Sequence, residues 1–277
     1  MRSFFIKLFK LLRIKHRHPL GENAPASFAK MASKNYISLP NQTLKNSFTF
    51  FAIGDAGAPT NELKETALAM DTWSKVHSRP DMVLGLGDNF YKVGVSHVSD
   101  PHFKRCWSDV FLKYESLRVP WRMILGNHDY MGIPQAQIDF HYDRKYNPDG
   151  HWQLPSTCYN FDFSVQQSED GEATTPDNSI PSNPDQENTE NSVSSFNVSF
   201  FGLDTNGCQK HVARIFPSSP EQLKQNIAQL DVSLQNSTSE WKIVFGHHPC
   251  YSQGMFVLCF CSVNSELCWY HTILGNL

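Results

Sequence analysis

The sequence predicts an α/β fold with largely parallel strands, and three observations carry that expectation. Short apolar runs alternate with stretches of helical periodicity along most of the chain. Four of those apolar runs end directly in a glycine followed by a side chain able to bind a metal. The composition, 40% hydrophobic and 18% charged over 277 residues, is that of a globular chain long enough to bury a sizeable core.

The expected strands are residues 48–53, 82–86, 121–125, 196–203 and 241–245. Between them, Leu63, Ala67 and Met70 recur at helical spacing, as do Phe103, Trp107, Val110, Phe111 and Tyr114. A third helix is signalled by Ser219 as its cap, Pro220 in its first turn, and a stripe of Leu223, Ile227, Leu230 and Leu234.

The strand ends carry the functional signal. They read Gly54-Asp55, Gly87-Asp88, Gly126-Asn127-His128 and Gly246-His247. In open α/β sheets the ligand site lies at the carboxyl ends of the strands, so these side chains are expected to converge. Asp55, Asp88, Asn127 and His247 together offer oxygen and imidazole donors, a mixture suited to Fe, Mn or Zn rather than to an all-oxygen calcium site. A fifth strand ends in Leu203-Asp204-Thr205 and is read as support for the core.

Other segments bound the function. Net charge is only −3, so no general affinity for nucleic acid is expected, and no obligate protein partner is evident. Residues 165–195 hold seven acids and no Lys or Arg, with too little apolar surface to offset the entropy of ordering, and read as a disordered acidic insert. Residues 1–46 form a basic N-terminal segment and linker. Within it, residues 3–17 gather Phe4, Phe5, Leu8, Phe9, Leu11 and Leu12 on one side and Lys7, Lys10, Arg13 and Arg17 on the other. That pattern suits contact with a membrane surface or an organelle-targeting role, with a frayed basic terminus as the alternative. Lys7 and Lys10 interrupt any secretory apolar stretch. The seven cysteines show no metal-site spacing, while sequons at Asn41, Asn197 and Asn236 fit a secreted protein, so compartment stays open.

Gly54-Asp55-Ala56-Gly57, Gly87-Asp88-Asn89-Phe90-Tyr91, Gly126-Asn127-His128-Asp129 and Gly246-His247-His248-Pro249 resemble the first four of the five motif blocks of purple acid phosphatases, calcineurin-like metallophosphoesterases. The tartrate-resistant form is the nearest match, and the resemblance covers residues 47–254. Tyr91 discriminates: the related protein Ser/Thr phosphatases carry a Gly-Asp-x-Val-Asp-Arg-Gly block without it. The resemblance implies a metallophosphoesterase sandwich, two layers of strands flanked by helices, that hydrolyses small phosphorylated substrates, as monoesters, at acidic pH. It implies a ferric ion on Asp55, Asp88 and Tyr91, and a divalent ion (Fe, Zn or Mn) on Asn127 and His247, with Asp88 bridging. His128 is implied beside the substrate, and Asp129 is read either as its orienting partner or as a turn carboxylate. A secretory or lysosomal place is implied too.

There are departures from the family pattern. His248 stands where several relatives have Tyr, and Gln253 stands where relatives place a histidine before Gly254. The family's last block, Gly-His-x-His, supplies one histidine to each metal and does not follow His247 in these residues. Only His271 occurs in the stretch 255–277, and His16 and His18 share the spacing without a preceding strand. The expectation is a truncated or alternatively spliced product, or a mis-called frame, missing its last strands and impaired in divalent-metal binding. A catalytically impaired or dead product that acts as a binding or decoy protein or has no function, and an enzyme acting on phosphodiesters, stand as the alternatives.

Overall fold

The computed structural model describes residues 47–166, 195–206 and 220–248. The basic segment at 3–17, most of the acidic insert, the cap Ser219, Gln253 and the stretch 255–277 with His271 lie outside the described residues.

The described residues form two sheets. The first holds β1 (Phe50–Ile53), β2 (Met82–Leu86), β3 (Trp121–Ile124) and β4 (Trp152–Gln153), in that order and all parallel. In the second, β6 (Ser195–Leu203) lies between β5 (Cys158–Gln166) and β7 (Trp241–Gly246). Parallel neighbours need long crossovers, and helices supply them. Helix α1 (Asn61–Val76) joins β1 to β2, a π-helix (Phe103–Leu112) lies between β2 and β3, and α2 (Pro134–Tyr142) lies between β3 and β4. Helix α3 (Pro220–Asn236) lies between β6 and the parallel β7.

The expectation of largely parallel strands needs one correction. β5 and β6 are antiparallel, paired from Cys158↔Leu203 to Gln166↔Ser195. The ladder therefore takes in positions 165, 166 and 195, which the acidic insert was expected to include. β5 was not among the expected strands, although Tyr159, Phe161, Phe163 and Val165 alternate with polar residues. β4 and α2 were also unanticipated.

Side-chain alternation builds the layers. On β3, Trp121 and Met123 face the π-helix, where Trp107 meets Trp121 edge-on at 6.2 Å. Arg122 and Ile124 face the second sheet instead, with the Arg122 guanidinium 4.3 Å over the Phe161 ring and Ile124 against Gly202. On β6, Phe200 joins the large inter-sheet core while its neighbour Phe201 turns outward to Leu230 and Leu234 of α3. The result is helix, sheet, sheet, helix. Arg122 is the anomaly of this core: it is 1% exposed, its Nε and one terminal nitrogen have no partner, and burial pushes its pKa down to about 10. Stacking over Phe161 offsets part of that desolvation.

Local chemistry accounts for the helices. Thr60 caps α1 by accepting the Leu63 N–H at 3.2 Å, and Leu63, Ala67 and Met70 enter the core as their spacing predicts. Pro134 opens α2, the position where its missing N–H is harmless.

Because the β5–β6 ladder closes at Gln166↔Ser195, residues 167–194 connect two strand ends that are already paired. Replacing them with a short Gly/Ser linker is expected to leave the fold intact. Loop closure costs only ~0.6 kcal/mol per doubling of length, so the change should be slightly stabilising. Thermal melting checks this: a Tm drop beyond a few degrees would mean that the segment docks on the domain.

Candidate metal centre

The four glycine-led blocks meet at the carboxyl ends of β1, β2, β3 and β7, and backbone hydrogen bonds tie the first block to the second. The Asp55 N–H donates to Gly87 O at 3.0 Å, and the Tyr91 N–H donates to Gly57 O at 2.9 Å. Asp55 and Asp88 both sit at positive φ, 58° and 52°. That region costs an ordinary side chain about 1–2 kcal/mol, and Asp and Asn tolerate it best. Two strained carboxylates at adjoining strand ends are a mark of a functional site.

The donor atoms converge. One ligand atom each from Asp55, Asp88 and His247 lie within 4.8 Å of one another. The Tyr91 hydroxyl stands 2.6 Å from Asp55 Oδ1 and 2.7 Å from Asp88 Oδ2. It has one proton to give to two carboxylates. On the other side of Asp88, His247 Nε2 lies 3.4 Å from Asp88 Oδ1 and 3.2 Å from Asn127 Oδ1. His247 Nδ1 lies 2.8 Å from Leu86 O, a carbonyl that can only accept, so Nδ1 carries the proton and Nε2 of the neutral ring is a bare lone pair. Oxygen and nitrogen lone pairs thus crowd a space with too few protons to separate them. Cations fit such a donor set. Burial, then the hydrogen bonds to Asp55 and Asp88, push the Tyr91 phenol far above its ordinary range. A bound cation reverses that field and favours the phenolate.

His128 is placed beside this cluster rather than in it. Its backbone N–H donates to Asp88 Oδ1 at 2.9 Å, and its ring stands edge-on to Tyr91 at 4.7 Å. Its Nδ1 donates to Lys92 O at 2.8 Å, which leaves Nε2 available. Lys92, not Asp129, is therefore what orients this imidazole.

Asp129 has a different job. It is fully buried and accepts the N–H groups of Gly126 at 2.8 Å, Asn89 at 3.1 Å and Phe90 at 3.2 Å, with the Gln137 amide at 2.9 Å. Asn89 adjoins Asp88 and Gly126 adjoins Asn127, so one carboxylate clamps the second block to the third. Burial pushes its pKa up to about 6 against those hydrogen bonds. Asn89 and Gln137 complete the clamp, with Asn89 Nδ2 donating to Ile124 O at 2.8 Å and Gln137 Oε1 at 3.0 Å. Neither residue was assigned a role from sequence. The available signal was Gln137 on the apolar side of α2, beside Ala136 and Phe140.

Residues 48–270 match the family model described as calcineurin-like phosphoesterase. Tartrate-resistant acid phosphatase type 5 of Mus musculus is 28% identical over 77% of this chain and 58% of its own length. The Homo sapiens counterpart is 36% identical over 43% of this chain and 37% of its own. Purple acid phosphatase 3 of Arabidopsis thaliana is 29% identical over 83% of this chain and 55% of its own. The chain spans about half the length of the curated relatives it matches. Among solved structures, GAP50, described as the anchor in the inner membrane complex of Plasmodium, has a TM-score of 0.58 at 20% identity, covering 83% of this chain and 62% of that one. That likeness is one of fold. Among the described residues no helix is long and apolar enough to cross a membrane. The sandwich, the four blocks at its strand ends and the family match over most of its length lead to one conclusion: this chain belongs to the calcineurin-like phosphoesterase family.

Proposed function

We propose that the chain is an acid phosphatase that hydrolyses small phosphate monoesters at a binuclear centre of Fe(III) and a divalent metal, which is Fe, Zn or Mn. The observation that carries this reading is the Tyr91 hydroxyl held between Asp55 and Asp88 at 2.6 and 2.7 Å. A phenol beside two carboxylates is a hard, anionic donor set suited to a trivalent ion. The acid phosphatases among the relatives support the substrate class. A secretory or lysosomal place accords with the same resemblance.

In this reading Asp55, Asp88 and Tyr91 would hold the ferric ion, while Asn127 and His247 would hold the divalent ion with Asp88 contributing to both. The pair of ions, when bound, supplies charge to the phosphoryl oxygens and acidifies a water. The chain's own residues do the rest by position, as phosphoryl transfer requires. Asp88 turns Oδ2 toward Tyr91 and Oδ1 toward His247, one oxygen to each half of the site. Leu86 O keeps the His247 Nε2 lone pair facing inward. His128, oriented by Lys92 O, presents Nε2 to the leaving alkoxide oxygen and in its imidazolium form delivers a proton there.

The test is spectroscopic and kinetic. Protein loaded with Fe and Zn should hydrolyse p-nitrophenyl phosphate at acidic pH in preference to its bis-ester, and should show a phenolate-to-iron band in the visible. Tyr91→Phe should abolish that band. A metal-loaded protein without the band would remove the ferric assignment, and preference for the bis-ester would make the enzyme a diesterase.

A further inference from the structure

We propose that Asp204 and Tyr130 form a positioning pair that sets the divalent half of the centre, by pinning the loop that carries Asn127 and His128 to the end of β6. The inference rests on the metal-centre reading above and extends it to residues that touch neither metal nor substrate.

β6 ends at Leu203, and the next three residues fan out toward the site. The Asp204 carboxylate accepts the Tyr130 O–H and the Asn206 N–H, the latter at 2.9 Å. The Asn206 amide donates to Gly126 O at 3.1 Å. Gly126 and Tyr130 bracket Asn127 and His128, so the loop is gripped at both ends. Between these two anchors, Thr205 Oγ1 accepts the His248 N–H at 3.1 Å and lies 2.8 Å from His248 Nδ1. His248 adjoins His247. Three consecutive residues therefore tie the block bearing Asn127 to the block bearing His247, the two side chains whose donor atoms stand 3.2 Å apart.

Core support alone does not explain this arrangement. Asp204 and Asn206 are buried, and an apolar pair would fill the same volume without desolvating a carboxylate and an amide. Burying them is useful where direction matters, because hydrogen bonds fix the loop's orientation as packing does not. The Tyr130–Asp204 contact also spans 74 residues of sequence, so no local turn replaces it.

Cobalt tests the pair, since Co2+ reports affinity and ligand geometry through its visible bands. The 277-residue chain is titrated with Co2+ as wild type, Tyr130→Phe and Asp204→Asn, with His247→Ala marking the equivalent that belongs to the divalent half. Outer-shell partners typically govern metal affinity by about 10–100-fold. The expected result is that range of weakening in Tyr130→Phe and Asp204→Asn, with shifted bands in the bound form. If wild type shows no equivalent that His247→Ala removes, the donors present do not hold a divalent ion, and the divalent half of the reading fails for this chain and this inference with it. If that equivalent exists and keeps its affinity and bands in Tyr130→Phe, the positioning role alone is overturned. A lower Tm with unchanged affinity and bands overturns it as well, marking a purely structural contact. Should Asp204→Asn fail to fold, Tyr130→Phe decides, because it removes one hydroxyl and keeps the ring.

Discussion

On the binuclear reading proposed above, Asp88→Asn is expected to abolish phosphatase turnover and to lower occupancy of both halves of the centre, the largest functional effect of any single substitution. The reason lies in how its two oxygens are spent. Oδ2 faces the Tyr91 hydroxyl at 2.7 Å, while Oδ1 takes the His128 N–H at 2.9 Å and faces His247 Nε2 at 3.4 Å. An amide replaces one of these oxygens with a donor. Turned toward His128, that NH2 meets another N–H; turned toward Tyr91, it removes the anionic oxygen from the phenol's side. Losing an outer-shell partner costs about 10–100-fold, and losing the shared ligand should exceed ~1,000-fold in kcat. Stability should move the other way. The metal-free site holds two carboxylates that share one phenolic proton, and Asn tolerates the +52° backbone of position 88. The metal-free variant should therefore melt no lower than wild type. Metal content per chain, hydrolysis of p-nitrophenyl phosphate and a thermal melt measure all three, and normal turnover would show that Asp88 is a turn residue only.

Gly87→Ala should be among the most damaging changes to stability and to the site together. Gly87 lies at φ +85°, where a Cβ would stand 2.8 Å from Gly126 N and 2.9 Å from both Gly126 Cα and His247 Cβ. Two of those atoms are backbone and none is the end of a flexible side chain. The left-handed conformation alone costs about 1–2 kcal/mol, and the clash raises the total to roughly 3 kcal/mol. For a domain of this size that is a Tm fall of about 6–12 °C. The relief available is to push Asp88 away from Asn127 and His247, so metal binding should weaken as well. Gly150→Ala is the control. Gly150 also has positive φ, 66°, but its Cβ would meet only the Arg144 guanidinium at 3.5 Å. It should lose only the conformational cost, about 1–2 kcal/mol, and leave metal binding unchanged. Equal losses in the two variants would show that backbone conformation, not the close approach at Gly87, matters.

The cluster of donor side chains at the strand ends was legible in the sequence because each block that carries them is local. A buried strand announces itself as an apolar run within five or six residues, and a glycine with Asp, Asn or His immediately after it marks where the strand ends. Residues 82–86 match β2 at both ends, and the other four expected strands differ by two residues or fewer. The period-3.6 stripes of α1 and α3 are similarly local. β5 was also readable, since Tyr159, Phe161, Phe163 and Val165 keep strict alternation up to the acidic stretch. β4, only two residues long, was not.

What holds those side chains together is written in contacts of long range, and only the packed chain reveals them. Asp129 clamps Asn89 across 40 residues, Asn206 reaches Gly126 across 80, and His247 finds Leu86 across 161. No periodicity marks a hydrogen bond between distant loops, and a buried Asp looks the same in one dimension as a turn Asp. The role of Asp129 illustrates the limit: beside His128 in sequence, it turns in space to the backbone of a different block. Propensity and patterning act over a few residues and so choose the elements and their ends. The directions in which polar side chains point at those ends depend on which strands become neighbours, and that is settled by burial of the two sheet faces against each other.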